Sequence, residues 1–286
     1  MTDSTPPLVH VSRRNLIQSA IIGTAALSTM SPSMALAKAK MPDHEGLVFR
    51  GEGFQPMVLK LVAGESLPIV NRGNQGLSLV SAPGAPEPIK AQIKPGEKKN
   101  LKWPKPGIYL LYDDQTTRFD SKVGQVVARN ESPYFPLPAY AAVVVTDEHG
   151  GGIPFSAKAQ VDIPDSYMTF EPWALVVKAG APIQFVNEDM DMHIAMPSVE
   201  PMLMPDRKAG PGEGNQPWME QMEAFAPVNL PGNGGKGIVT LGTPGVYHYY
   251  CPIHAAYNAT AGTYAPLKSY GGYPFIMDGL LVVEPV

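Results

Sequence analysis

Four side chains in the second half of the sequence have the types and the order that a metal site requires. Cys251, the only cysteine in the chain, stands in "GVYHYYCPIH" (245–254), with His254 three places on. His193 closes "VNEDMDMH" (186–193), and Met277 heads "MDGLLVV" (277–283). Two imidazoles, a thiolate and a thioether form a soft-to-borderline donor set, which suits copper far better than zinc or magnesium. A bound metal would also account for the lone thiol. Outside the cytoplasm an unpaired cysteine is a liability unless something occupies it.

Such a site depends on elements that bring the four donors together. In a strand, Cys251 shares a face with Tyr249 and Tyr247 and points to the packed interior. His254 follows in the next loop, His193 comes after a strand ending at Asn187, and Met277 opens the last strand. Three loops at one end of a β-sandwich would then converge. Trigonal His₂Cys with a long, weak axial Met is the arrangement of an electron-transfer (blue) copper site. The composition agrees with an all-β fold. There are 31 prolines and 28 glycines, short Val-, Ile-, Leu- and Tyr-rich runs, and no sustained helical periodicity.

The chain carries the same pattern twice. "GFQPMVLKLVAGESLPIVNRGNQGLSL" (53–79) aligns with "TFEPWALVVKAGAPIQFVNEDMDMHIA" (169–195), matching Phe54-x-Pro56 to Phe170-x-Pro172, Ala63-Gly64 to Ala179-Gly180, and Asn71 to Asn187. "PGIYLLYDDQT" (106–116) aligns with "PGVYHYYCPIH" (244–254), and the spacing from Gly107 to Ala139 equals that from Gly245 to Met277. Similarity at matched offsets marks a duplication. Each copy reads as an alternating strand (Leu59, Leu61; Leu175, Val177), a turn, a strand ending in Asn, a long connection, and two further strands. This predicts two tandem Greek-key β-sandwiches, 41–149 and 155–286, joined through the glycine-rich "DEHGGGIP" (147–154). At the four donor positions the first copy has Leu77, Asp113, Thr116 and Ala139, a set that would hold no metal.

With these motifs on view, residues 155–286 resemble a cupredoxin of the plastocyanin and azurin superfamily. The pattern shared with that family is Asn then His, G-x-Y-x-x-x-C-x-x-H, and M-x-G-x-x-x-V. The resemblance places copper ligands on His193, Cys251, His254 and Met277. It implies one type 1 copper, electron transfer to a redox protein partner, and exchange through an exposed edge of His254. Asn187 and Tyr250 are the further residues expected to matter, Tyr250 as an electron exit beside the cysteine. The chain departs from plastocyanins in having 22 residues between His254 and Met277. That departure leaves Met190, Met192 and Met196 as alternative axial donors. Met277 is preferred because it stands directly ahead of the M-x-G strand.

Other readings are weaker. No H-x-H pair exists for a trinuclear copper cluster, and Tyr250 occupies the place where a two-domain nitrite reductase needs a second-copper histidine. His44, His149 and His248 remain, and His248 falls on the strand face opposite Cys251, where a solvent-facing position is expected. A Met-capped four-ligand site leaves no open position for catalysis, so a carrier is expected rather than an enzyme. A rival is a copper-handling or delivery protein. The connection after His193 is about 22 residues longer than in the first copy, and within 197–236 it contains Met202, Met204, Met219, Met222 and Trp218. The tyrosine-rich loop from Tyr257 to Tyr273 has a counterpart of equal length in the first copy and is expected to pack between domains or subunits.

The start of the chain resembles a twin-arginine (Tat) signal peptide, 1–37, with Arg13 and Arg14, an apolar run and Ala35-Leu36-Ala37. This predicts a periplasmic protein with no membrane span in the mature chain. Without residues 1–37 the 22 basic and 26 acidic side chains become 20 and 25, a net charge near −5. No basic run points to nucleic acid. The oligomeric state, redox partner and potential are not encoded in any motif.

Overall fold

Two apolar runs organise the molecule. Tyr140–Thr146 (YAAVVVT) and Asp278–Glu284 (DGLLVVE) are strands buried along their entire length. A strand buried on both faces needs no alternation of apolar and polar residues. Each run is the second strand of a five-stranded sheet. In the first half the order is Val58–Val62, Tyr140–Thr146, Gly107–Asp113, Leu77–Ser81, Lys90–Ile93. In the second it is Ala174–Lys178, Asp278–Glu284, Gly245–Tyr250, His193–Pro197, Val228–Leu230. The closing strand pairs in parallel with the first strand of its sheet in both halves, Val143 opposite Leu59 and Leu281 opposite Leu175. This is a computed structural model; it describes residues 46–129, 138–165, 167–198, 224–258, 263–267 and 275–286. The expected signal peptide, most of the Met-rich connection and part of the tyrosine-rich loop lie outside the described residues.

A smaller sheet closes each sandwich: Phe54–Gln55, Leu47–Phe49, Ser66–Asn71 and Lys98–Lys102 in the first half, and Gln160–Ile163, Pro182–Asn187 and Gly235–Thr240 in the second. All regular elements among the described residues are strands, as the composition implied. Period-two geometry then divides the side chains between layers. Leu59, Leu61, Tyr109, Leu111, Val143 and Val145 point into the first sandwich. Leu175, Val177, Tyr249, Cys251, Leu281 and Val283 point into the second.

The opposite faces of the two large sheets pack on each other. Val58, Leu110, Tyr112, Ala142 and Val144 from the first half meet Trp173, Val176, Leu280 and Val282 from the second in one buried cluster. This central layer is why the closing strands carry apolar side chains on both faces. Each long loop after the Pro-Gly-x-Tyr strand contributes a hairpin, Thr117–Asp120 with Gln125–Ala128 and Ala255–Asn258 with Thr263–Pro266. Val126, Ala255 and Tyr264 of these hairpins enter the central layer, and the Thr263 hydroxyl donates to Met57 Sδ at 3.4 Å. The packing role expected for the loop is thus visible in its described residues.

The glycine-rich connection is a tight turn. The Asp147 carboxylate accepts the His149 and Gly151 N–H groups, both at 2.9 Å, and the Ile153 N–H donates to Glu284 Oε1 at 2.7 Å. Gly279 explains the glycine of M-x-G. A Cβ there would lie 2.4 Å from the Tyr249 ring, which packs edge-on against Phe170 and Phe185 in the second core. Because Leu280 is fully buried in the central layer, Leu280→Ala should cost about 2–5 kcal/mol. A urea unfolding midpoint equal to the parent's would show that the layer does not support the fold.

Candidate metal centre

The cysteine strand, Gly245–Tyr250, ends one residue before Cys251, where a turn takes over. The N–H groups of His254 and Ala255 donate to the Cys251 carbonyl at 3.0 and 2.8 Å, which folds His254 back beside the thiol. His193 starts the neighbouring strand, His193–Pro197. The ligand atoms of His193, Cys251 and His254 lie within 4.8 Å of one another, and all three residues are buried. Among the described residues this is the one His, Cys, Asp and Glu group so arranged. Both imidazoles turn Nδ1 toward the sulfur: Cys251 Sγ is 4.0 Å from His193 Nδ1 and 3.4 Å from His254 Nδ1.

Surrounding groups hold these atoms in place. His193 Nε2 is 2.9 Å from the Asp189 carboxylate, so the proton sits on Nε2 and the Nδ1 lone pair faces the sulfur. Asp189 stands four residues ahead of the histidine, a signal present in the sequence that the ligand pattern alone passes over. Its other oxygen accepts the Met190 N–H at 2.7 Å. The Ile194 N–H points at Cys251 Sγ, 3.4 Å away. Met277 is fully buried in the same core cluster as Cys251, and its carbonyl accepts the Cys251 N–H at 2.9 Å. Met190 and Met192 are 73% and 52% exposed, and Met196 is half-buried.

Asn187 is buried and donates through Nδ2 to the carbonyls of Asp191, Leu230 and Pro231 at 2.7, 2.9 and 3.1 Å. Asn71 does the same in the first half, donating to Gln75 and Ile93 at 2.8 and 2.9 Å. This residue therefore shapes the loop whether or not ligands follow it. At the cysteine position of the first half, the Asp113 carboxylate accepts the Ser78 N–H at 3.1 Å and the Thr116 hydroxyl at 2.9 Å. Ser78 is the counterpart of Ile194. Leu77 and Ala139 are buried in the first core.

Two expectations change. His248 lies on the face opposite Cys251, as alternation required, but is 5% exposed rather than solvent-facing. The first half covers that face, and His248 Nε2 is 2.6 Å from Asp278. His254, for which an exposed edge was expected, is 3% exposed; the hairpin that follows it returns Leu267, whose N–H donates to the His254 carbonyl at 2.7 Å. Tyr250 is half-buried against the central layer, its ring 4.5 Å from that of Tyr264.

Electrostatics favour a proton where a metal would bind. Burial pushes the Cys251 thiol above its ordinary value, opposed by the backbone N–H groups of Ile194, Ile253 and His254. Burial, and then the neighbouring His193, holds His254 below the usual imidazole range. The metal-free pair at neutral pH is therefore a thiol and a neutral imidazole. The donor set and its shielding fit copper as a thiolate complex.

Residues 157–261 match the family model for copper binding proteins of the plastocyanin/azurin family. No curated protein sequence matches the chain. Among solved structures the chain is similar to a purple cupredoxin from Nitrosopumilus maritimus, at 17% identity over 44% of this chain and all (100%) of that one, with a TM-score of 0.25. It is also similar to plastocyanin from Dryopteris crassirhizoma, at 20% identity over 44% of this chain and 99% of that one, with a TM-score of 0.28.

Two outcomes are expected of the site. Asp189→Ala frees the His193 ring and should weaken copper binding about 10–100-fold, measured by competition with a chelator. Since binding must expel the thiol proton, affinity should rise about tenfold per pH unit near neutrality. It should fall more steeply once acid protonates His254 as well. A pH-independent affinity would mean that the thiolate is not a ligand.

Proposed function

We propose that the protein carries electrons through one type 1 copper held by His193, Cys251, His254 and axial Met277, a reading supported by the match of residues 157–261 to the plastocyanin/azurin copper-binding family model. In this reading it consists of two cupredoxin-like domains, 41–149 and 155–286, exported to the periplasm by the twin-arginine route. The observation that carries the proposal is the buried His₂Cys group with both Nδ1 atoms facing one thiol. When bound, copper supplies a one-electron couple. The protein's part is to hold the donors so that little moves between the two oxidation states. Asp189 fixes one ring, the Ile194 N–H steadies the sulfur, and the surrounding apolar core excludes water. Four protein donors leave no position for a substrate, which favours a carrier over a catalyst.

Burial of Met277 beside Cys251 supports it as the axial donor over the exposed Met190 and Met192. The electron would leave through Tyr250 into the ring contacts it makes with Tyr264, and from there to Tyr257, whose ring is 5.6 Å from that of Tyr264. A redox protein is the expected partner. A second reading, delivery of cuprous ion, is favoured by the two exposed thioethers next to the His193 loop, since soft sulfur ligands suit Cu(I).

Optical and EPR spectra of copper-loaded protein separate the two readings. A carrier should show an intense thiolate-to-copper band, narrow copper hyperfine splitting and one copper per chain, all lost in Cys251→Ser. A protein that holds copper only as a colourless Cu(I) complex would be a delivery protein. Met277→Leu should keep the copper and raise its potential, because losing a weak donor favours the less charged ion. A parent-like potential and spectrum in that variant would assign the axial place to another methionine.

A further inference from the structure

The last strand carries two unlike residues side by side. Met277 faces the second core with Cys251, whereas Asp278 faces the layer between the halves. Asp278 is fully buried and is held from three directions. The Tyr140 hydroxyl of the first half donates to Oδ2 at 2.6 Å, the Trp173 indole N–H donates to Oδ1 at 3.0 Å, and His248 Nε2 lies 2.6 Å from Oδ2. His248 Nδ1 is in turn hydrogen-bonded to the Ser198 hydroxyl. A carboxylate so deeply buried persists only when such partners satisfy it. Nothing in the metal site proposed above uses this cluster.

From this arrangement we infer that Asp278 is the positioning residue through which the first half sets the axial ligand, a role that rests on the copper reading of the site. The β-ladder cannot position Met277 alone. Its terminal pair joins Tyr250 to Asp278, which leaves Met277 one residue beyond the last rung. Its carbonyl is anchored by the Cys251 N–H at 2.9 Å, and its other flank is the Asp278 backbone. A long, weak metal–thioether bond does not dictate where the sulfur sits, so the protein must. Fixing Asp278 on one side of the strand fixes the peptide that carries Met277 on the other. Tyr140 is the one of the three partners that comes from the first half. It stands next to Ala139, the residue that occupies the methionine position there.

The test uses the full-length copper-loaded protein. Tyr140→Phe removes a single hydroxyl and keeps the ring, which packs edge-on to Trp173 with centroids 6.1 Å apart. It should retain one copper but change the relative intensities of the two thiolate-to-copper bands, move the EPR signal from axial toward rhombic, and shift the potential. Asp278→Leu should change the same observables further, and adding Tyr140→Phe to it should change nothing more, because the two act in series. Tyr109→Phe is the control. It removes a hydroxyl that donates to the Lys105 carbonyl at 3.0 Å, from a ring packed in the first core rather than the central layer, and should leave the copper spectra as in the parent. If Tyr140→Phe lowers only the unfolding midpoint while bands, EPR and potential stay parental, Asp278 is a structural anchor and the inference is overturned. Additive effects of the two substitutions would overturn it as well. A parent protein without the thiolate-to-copper bands overturns the copper reading itself and this inference with it, a result visible before any variant is made.

Discussion

The thiol of Cys251, buried between two imidazoles, constrains much of what surrounds it. Burial raises the cost of ionising the sulfur, and burial together with the neighbouring His193 holds His254 below the usual imidazole range. A soft cation bound there would replace a proton and could take all three donors together. The strand pairing of Gly245–Tyr250 with Asp278–Glu284 places the sulfur in the core, and the turn after Cys251 brings His254 back to it. Asn187 shapes the loop that delivers His193, and Asp189 decides which nitrogen that ring presents.

The first half shows what the same framework becomes without that constraint. Asp113 stands where the cysteine would be and collects the Ser78 N–H and the Thr116 hydroxyl, the counterparts of the Ile194 N–H that points at the sulfur and of His254. The asparagine and its carbonyl contacts persist. The loop architecture therefore does not require the His₂Cys set, which an internal hydrogen-bond hub replaces in the first half. The first half is more than a remnant. Its large sheet covers the outer face of the sheet that carries Cys251 and Met277, turning His248, Tyr250 and Asp278 from surface positions into buried or half-buried ones.

That covering also changes what surrounds the His193, Cys251 and His254 group. His254 is only 3% exposed, and Tyr250 is packed toward Tyr264. Aromatic rings are concentrated in the central layer, Tyr112, Tyr140, Trp173 and Tyr264 among them.

How much was legible in advance follows from the range over which each feature is specified. Strand content, the repeated pattern and the inward direction of Cys251 are local, since period-two alternation and Pro-Gly punctuation act over a few residues. The donors His193, Cys251 and His254 were readable because soft ligand chemistry admits few residue types, and their convergence in one buried group follows from strand order. By itself, then, the sequence determined an all-β chain with a copper-suited donor set in its second half and none in its first. Tertiary structure alone decided which faces are solvent. Alternation says that His248 and Tyr250 share the strand face opposite Cys251, but not that another sheet lies beyond, because packing of two preformed faces leaves no short-range pattern. The same holds for Asp278. Next to an apolar strand it reads as an ordinary polar start, and only the approach of Tyr140 and Trp173, each more than a hundred residues away in sequence, makes burial of its carboxylate possible.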